Sequence, residues 1–453
     1  MTLIPHPSVE TPPAPSPTPV EAVARAVARA VAERVTSRLL AEGRLEAGAV
    51  GGEEARRRVA SVVDEVLDAM AADALAQGRA PLDAAQEQQV RTLAVARICG
   101  MGGLEPLLAE PGVHNILITG EKVIVDFGGG RREPRPPVAA DDAELAALVR
   151  RIAASSPSGE RRFDASSPLL SMELPDGSRL SAVMEVSRRV SVAIRRHSRH
   201  ALDLNALQSS DMLDGLARGL LEAAASARMN LLISGATGAG KTTLLRALAV
   251  AAVAPWERVV TVEDSLELNL DRSLEARCDC VVLQARPANV EGVGEVTLAE
   301  LVRHALRLSP DRVIVGETRG PETIALLNAM SMGTDGSMAT IHAGSSAQVF
   351  TKIAAYTAQA PERLSLEAAN LLAASAVHLV APIAVDPRGR RWVSSIREVL
   401  GAEGVHVVSN EVYHRPRPQG AGRLLVAPSS ERADVLAAHG FDAAAAFSAG
   451  GAW

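Results

Sequence analysis

The chain has 453 residues, 47% of them hydrophobic and 22% charged, and a formal net charge of −6. That length holds two or three domains with real cores, and the scarcity of aromatics, 2%, means those cores are built from Ala, Val and Leu. The acidic balance lacks the basic footprint of a nucleic-acid binder, so direct nucleic-acid contact is not expected, and three cysteines (Cys99, Cys278, Cys280) are too few for a disulfide framework or a four-ligand zinc site.

Residues 1–20 carry seven prolines and read as a disordered leader. An Ala/Val/Arg/Glu pattern over 21–46 fits an amphipathic helix, broken at Gly48, Gly51 and Gly52, and two further helical runs cover 53–78 and 82–99. The segment 21–108 is therefore a helical region, either a small bundle or an arm that docks a partner. The period then changes. Val113–Thr119 and Lys122–Phe127 are strands joined at Gly120-Glu121, Asp141–Ala154 is helical, and Arg179–Val186 and Val190–Arg195 are further strands. Residues 109–200 form a smaller α+β domain, and the polar stretch 197–210 reads as a linker. From 211 to about 384, helical runs alternate with short apolar strands, the pattern of a parallel sheet with crossover helices. The Pro/Gly/Ala-rich segment 411–453 is a tail with no readable role.

The strand Asn230–Ser234 runs into Gly235, Ala236, Thr237, Gly238, Ala239, Gly240, Lys241, Thr242 and Thr243, and a helix follows over Leu244–Val253. This is G-x-x-x-x-G-K-[ST] between a strand and a helix, a phosphate-binding loop. Its glycines let the backbone curl so that successive N–H groups point inward, and the helix N-terminus adds a favourable dipole. ATP is the expected ligand, with Lys241 on the β- and γ-phosphates and Thr242 on Mg²⁺.

Phosphate binding alone does not hydrolyse ATP; acids must hold the metal and orient water. Two candidates end apolar strands. Arg258–Val262 runs into Glu263-Asp264, and Arg312–Val315 into Gly316-Glu317. Ligands of a parallel sheet lie beyond the carboxyl ends of its strands, so both acids emerge beside the loop. Glu317 sits where a Walker B acid belongs; Glu263 is a base or a Mg²⁺ ligand. In Gly333–Ser345, Met338–His342 reads as another strand with His342 at its end, placed either to hold structure or to bond the γ-phosphate and its water.

Taken in order, GATGAGKTT, VEDSLEL, VGETRGPET and DGSMATIHAGS resemble the Walker A, Asp, Walker B and His boxes of the secretion ATPase superfamily of type II and type IV secretion and type IV pili. The CpaF/TadA branch, which drives Tad pilus assembly, is the nearest in pattern, and VHNILITG, DGSRLSAV and VSVAIRRHS are similar to that family's N-terminal domain. The resemblance covers roughly 95–400. It implies a RecA-like P-loop core over 205–410, a homo-hexamer, and nucleotide held between the core and the N-terminal domain. Arg179 and Arg195 match the family arginines that reach the phosphates, Arg319 the Walker B arginine, and His342 the His-box histidine. It also implies partners in an inner-membrane platform. Thr334 stands where the family's His box usually begins with another histidine, so a contact there is lost or replaced. The four-cysteine module of type II members is missing. The longest apolar stretches, Leu244–Pro255 and Leu371–Val385, fall short of a membrane span. The chain is accordingly expected in the cytoplasm, peripheral to the membrane through its partners.

Overall fold

The computed structural model describes residues 53–128, 131–154, 162–196, 203–274, 277–286, 288 and 292–450, with six single positions between 23 and 34. The leader expected over 1–20 lies outside them. The chain divides into two compact units, residues 1–198 and 199–453.

In the first unit, the positions described between 23 and 34 are helical, and Val27 and Val31 share an apolar cluster with residues of α1 (Glu53–Ala76) and α2 (Ala84–Cys99). Asp83 starts α2 with a capping box, its side chain accepting from Gln86 N–H while Gln86 reaches back. After the short α3 (Leu104–Ala109) come β1 (Asn115–Thr119), β2 (Lys122–Asp126), β3 (Arg132–Arg135), α4 (Asp142–Ala154), β4 (Leu169–Glu173), β5 (Arg179–Val183) and β6 (Ser191–Arg195). The strands form one antiparallel sheet of six, in the order β3-β2-β1-β6-β5-β4. Every second side chain of β1, β2, β5 and β6 is buried, and these share a core with Leu145, Leu148, Val149 and Ile152 of α4. Period-two burial places one face of the sheet against α3 and α4 and leaves the other more exposed.

The second unit begins with α5 (Leu204–Ser209) and α6 (Gly215–Ser226). Residues 203–210 are therefore not a linker: the Asp203 side chain caps α5 by accepting Ala206 N–H at 2.7 Å, and Leu204 and Leu207 are buried in the core. Then follow β7 (Leu231–Gly235), α7 (Lys241–Ala252), β8 (Arg258–Glu263), α8 (Leu270–Leu274), β9 (Asp279–Gln284), α9 (Leu298–Ala305), β10 (Arg312–Thr318), α10 (Glu322–Ser331), β11 (Met338–Ile341), α11 (Gln348–Gln359), α12 (Leu366–Ala376) and β12 (Leu379–Val385). The strands β12-β7-β11-β10-β8-β9 lie side by side and parallel. Every residue of β7 is buried, as a central strand covered on both faces requires. One face packs on α5, α6 and α7, the other on α9 to α12. This is the RecA-like α/β arrangement, with the loop-bearing strand between two neighbours.

The sheet continues in antiparallel fashion through β14 (Ser395–Glu403), β15 (His406–His414) and β16 (Arg423–Leu424), while β13 (Arg391–Val393) pairs with β12. The boundary expected at 410 falls inside β15, and the tail carries α13 (Ser430–Ala438) and α14 (Ala443–Gly450). It is part of this unit because polar side chains hold it there. Asp214 Oδ2 receives Tyr413 O–H at 2.9 Å and Gly422 N–H at 2.8 Å. Glu398, fully buried, receives the Ser429 N–H and hydroxyl and pairs with Arg432 at 3.2 Å. Leu436 and Phe441 then join the core of the α6–α7 face.

Candidate active site

The loop after β7 ends at Gly240, which caps α7 in the left-handed region at φ +95° and offers no side-chain cap. Glycine suits this left-handed conformation, and a β-carbon on Gly240 would press on Met212 Cε at 3.0 Å. The first N–H groups of α7 have no capping side chain and face an anion-binding position. Lys241, first residue of α7, is only 7% exposed. Its ammonium donates to the carbonyls of Gly235 and Ala236, each at 3.2 Å, and thus folds back over the loop that a phosphate would occupy. Thr242 and Thr243 follow on the half-exposed side of the same turn. The residues present fit a nucleotide phosphate chain: an uncapped helix end, a glycine-permitted curl and an ammonium poised over it.

Two strand ends bring in the acids. Glu317 is on β10 and His342 directly follows β11, the strand between β10 and β7. His342 Nε2 lies 2.5 Å from Glu317 Oε1 and His342 Nδ1 lies 3.2 Å from Lys241 Nζ. An ammonium can only donate, so the imidazole accepts from Lys241, while Nε2 makes a close polar contact with the Glu317 carboxylate. Lys241 Nζ also stands 4.0 Å from Glu317 Oε1. Three of the residues singled out from sequence therefore form one cluster at the mouth of the loop.

Glu263 ends β8 and is 2% exposed. Burial pushes its carboxyl up to about 7, partly offset by the Glu267 and Leu268 N–H groups that Oε2 accepts at 2.7 and 2.8 Å. It reaches the neighbouring strand at Gly316, where a β-carbon would come within 3.0 Å of Glu263 Cγ. Glycine before Glu317 is thus what lets the two acids come from adjacent strands. Arg319, on the segment after β10, pairs with Asp264 at 2.7 Å on the surface rather than with the cluster.

Thr334 is not at this site. It precedes β11, at the end of the strand opposite His342, and its buried hydroxyl donates to Ala329 O at 2.5 Å at the C-terminus of α10. The Thr334 hydroxyl thus serves a helix end, not the phosphate region. In the other unit, Arg179 and Arg195 are direct cross-strand partners on β5 and β6, with Glu173 and Asn115 next in the same row. Two like charges opposed across a ladder are unfavourable unless counter-charge is near.

The sequence reading missed two supports. Thr340 Oγ1 donates to Gly316 O at 2.6 Å, and Glu322 Oε1 accepts the Arg319 and Gly320 N–H groups at 2.5 and 2.8 Å. Both hold the turn that carries Glu317; their only signal in sequence was proximity to that acid.

The model of the type II/IV secretion system protein family matches residues 140–415, more than half of the chain. The chain belongs to this family. It is 36% identical over 329 residues to the Mycobacterium tuberculosis H37Rv protein Rv3659c, whose name assigns it provisionally to conjugal transfer; the match covers 71% of this chain and 90% of that protein. It is 30% identical over 314 residues to VirB11 of Agrobacterium fabrum, covering 62% of this chain and 88% of the relative. Among solved structures, the VirB11 ATPase of the Brucella suis type IV secretion system in complex with sulphate aligns at 24% identity and a TM-score of 0.35, over 65% of this chain and 92% of that one. No helix among the described residues is long and apolar enough to cross a membrane.

Proposed function

We propose that this secretion-family protein is an ATP hydrolase whose turnover powers a pilus-assembly or secretion machine. The observation that carries this reading is the Lys241–His342–Glu317 cluster at the uncapped N-terminus of α7. ATP would lie with its phosphates against the Gly235–Thr243 backbone, Lys241 turning from the loop carbonyls to the β- and γ-phosphates. Thr242 would hold Mg²⁺, with Glu263 near it, and the metal would supply neutralisation of phosphate charge. Glu317, in contact with His342 through Oε1, orients the attacking water and takes its proton as the water oxygen bonds to the γ-phosphorus and the bond from that phosphorus to the ADP oxygen breaks. His342, touching both Lys241 and Glu317, links the state of the phosphates to that of the acid. Arg179 and Arg195, which the resemblance matches to phosphate-reaching arginines, would supply guanidinium forks suited to charge on a phosphate.

In this reading the chain works as a homo-hexamer on inner-membrane platform proteins, in the cytoplasm and peripheral to the membrane. Nucleotide-driven conformational change supplies the movement. The resemblance to the CpaF/TadA branch favours pilus assembly. The relative named for conjugal transfer favours a second load, a conjugation apparatus. Phosphate release measured with and without duplex and single-stranded DNA tests this. Mg²⁺-dependent turnover unchanged by DNA is expected for the pilus motor. Turnover stimulated by DNA and lost with salt would move the assignment to a DNA-handling motor. Binding of ATP without phosphate release would make the chain a nucleotide-gated scaffold.

A further inference from the structure

The strand order leaves one side of the loop without an assigned contact. His342 and Glu317 approach from β11 and β10, on one side of β7. On the other side, β12 pairs in parallel with β7 so that Ile383 stands beside Gly235, and the β12–β13 hairpin projects past the loop. That hairpin reads Asp386-Pro-Arg-Gly-Arg-Arg391. Asp386 fixes its turn, with Oδ1 accepting the Arg388 and Arg390 N–H groups, each at 2.9 Å, and Oδ2 accepting Arg390 Nε at 2.7 Å. The charge of Arg390 is thereby matched within the hairpin. The Arg391 residue is exposed, and its side chain has no hydrogen-bond or ion-pair partner among the described residues.

Arg391 is nevertheless well placed. It opposes Val385, two residues beyond the Ile383–Val393 pair, so it shares their face of the sheet, the face that packs on α7. Val393 N–H donates to Met212 O at 2.9 Å, which ties the hairpin to the residue packed under Gly240. A β-carbon on Gly240 would lie 3.9 Å from Arg391 Cδ. The stem of an uncommitted arginine therefore runs alongside the phosphate loop.

We propose that Arg391 is a further nucleotide-binding residue, closing on the α-phosphate and ribose end of a nucleoside di- or triphosphate whose terminal phosphate faces Lys241 and Glu317. The inference rests on the nucleotide reading of the loop. A nucleotide whose far end lies by β10 and β11 must carry its near end toward β12, along which the Arg391 stem runs, and a guanidinium gives strong charge-assisted bonds to phosphate. The test is calorimetric titration of the full-length protein with ADP and with inorganic tripolyphosphate. For Arg391→Ala, ADP affinity should fall about tenfold, the loss expected for a charged hydrogen bond. Arg391→Lys should recover part of it, and the melting temperature without ligand should stay at the wild-type value. Tripolyphosphate, which has no ribose end, should be affected less than ADP. If wild type binds ADP and Arg391→Ala binds it within twofold, the role of Arg391 is overturned while the loop assignment stands. A wild type that retains no ADP overturns both.

Discussion

Glu263 is where burial and chemistry pull against each other. Desolvation raises its carboxyl to about 7 from 4.5, so between those values the folded state holds a proton that the unfolded chain has released. Its stabilising effect is complete below pH 4.5 and is lost as pH rises through about 7. The whole span corresponds to about 3 kcal/mol. In Glu263→Gln the amide oxygen can still accept both backbone N–H groups and does not titrate. Urea unfolding from pH 5 to 8, without metal or nucleotide, should therefore show wild type losing stability relative to the variant as pH rises. Parallel pH profiles would contradict the buried, raised carboxyl. At this scale the loop was legible because its chemistry is local: eight consecutive residues, Gly235–Thr242, carry the motif. The His342–Glu317 contact was not, because residues far apart in sequence meet only once β10 and β11 are paired. Arg391 was hidden for the same reason, since nothing in DPRGRRW says which strand its hairpin will flank.

The buried ion pair between Arg312 and Glu257 joins three elements at the end of the sheet away from the loop, where β8 and β10 begin. Arg312 Nε donates to both Glu257 oxygens at 3.0 Å, Arg312 Nη1 donates to Ala225 O at 2.7 Å, and Arg228 pairs with Glu257 at 3.0 Å. Both members of the central pair are at most 2% exposed. Removing one partner of such a pair strands a buried charge, so Glu257→Ala should cost about 3–5 kcal/mol in urea unfolding. A loss below about 1 kcal/mol, the worth of a surface pair, would show the pair to be solvated. The strands that read clearly in sequence, among them β7, β8 and β10, are apolar runs ended by glycine or acid. Strand β3 did not, since REPR has charges and Pro134, which an edge strand tolerates. The tail was opaque because its fold depends on distant anchors, Asp214 and Glu398, rather than on its own periodicity.

Taken whole, the molecule joins an α-helix-backed antiparallel sheet bearing Arg179 and Arg195 to a RecA-like unit bearing the loop, the acids and the histidine. The account holds that the second unit is a hydrolytic centre and that its cluster is arranged around a phosphate chain. The most direct measurement is steady-state phosphate release from Mg²⁺-ATP by wild type and Lys241→Ala at matched thermal stability. The account predicts measurable release by wild type and a loss of at least about 100-fold in the variant, the scale of removing a charge-stabilising group from an active site. Release by Lys241→Ala close to the wild-type rate would contradict it.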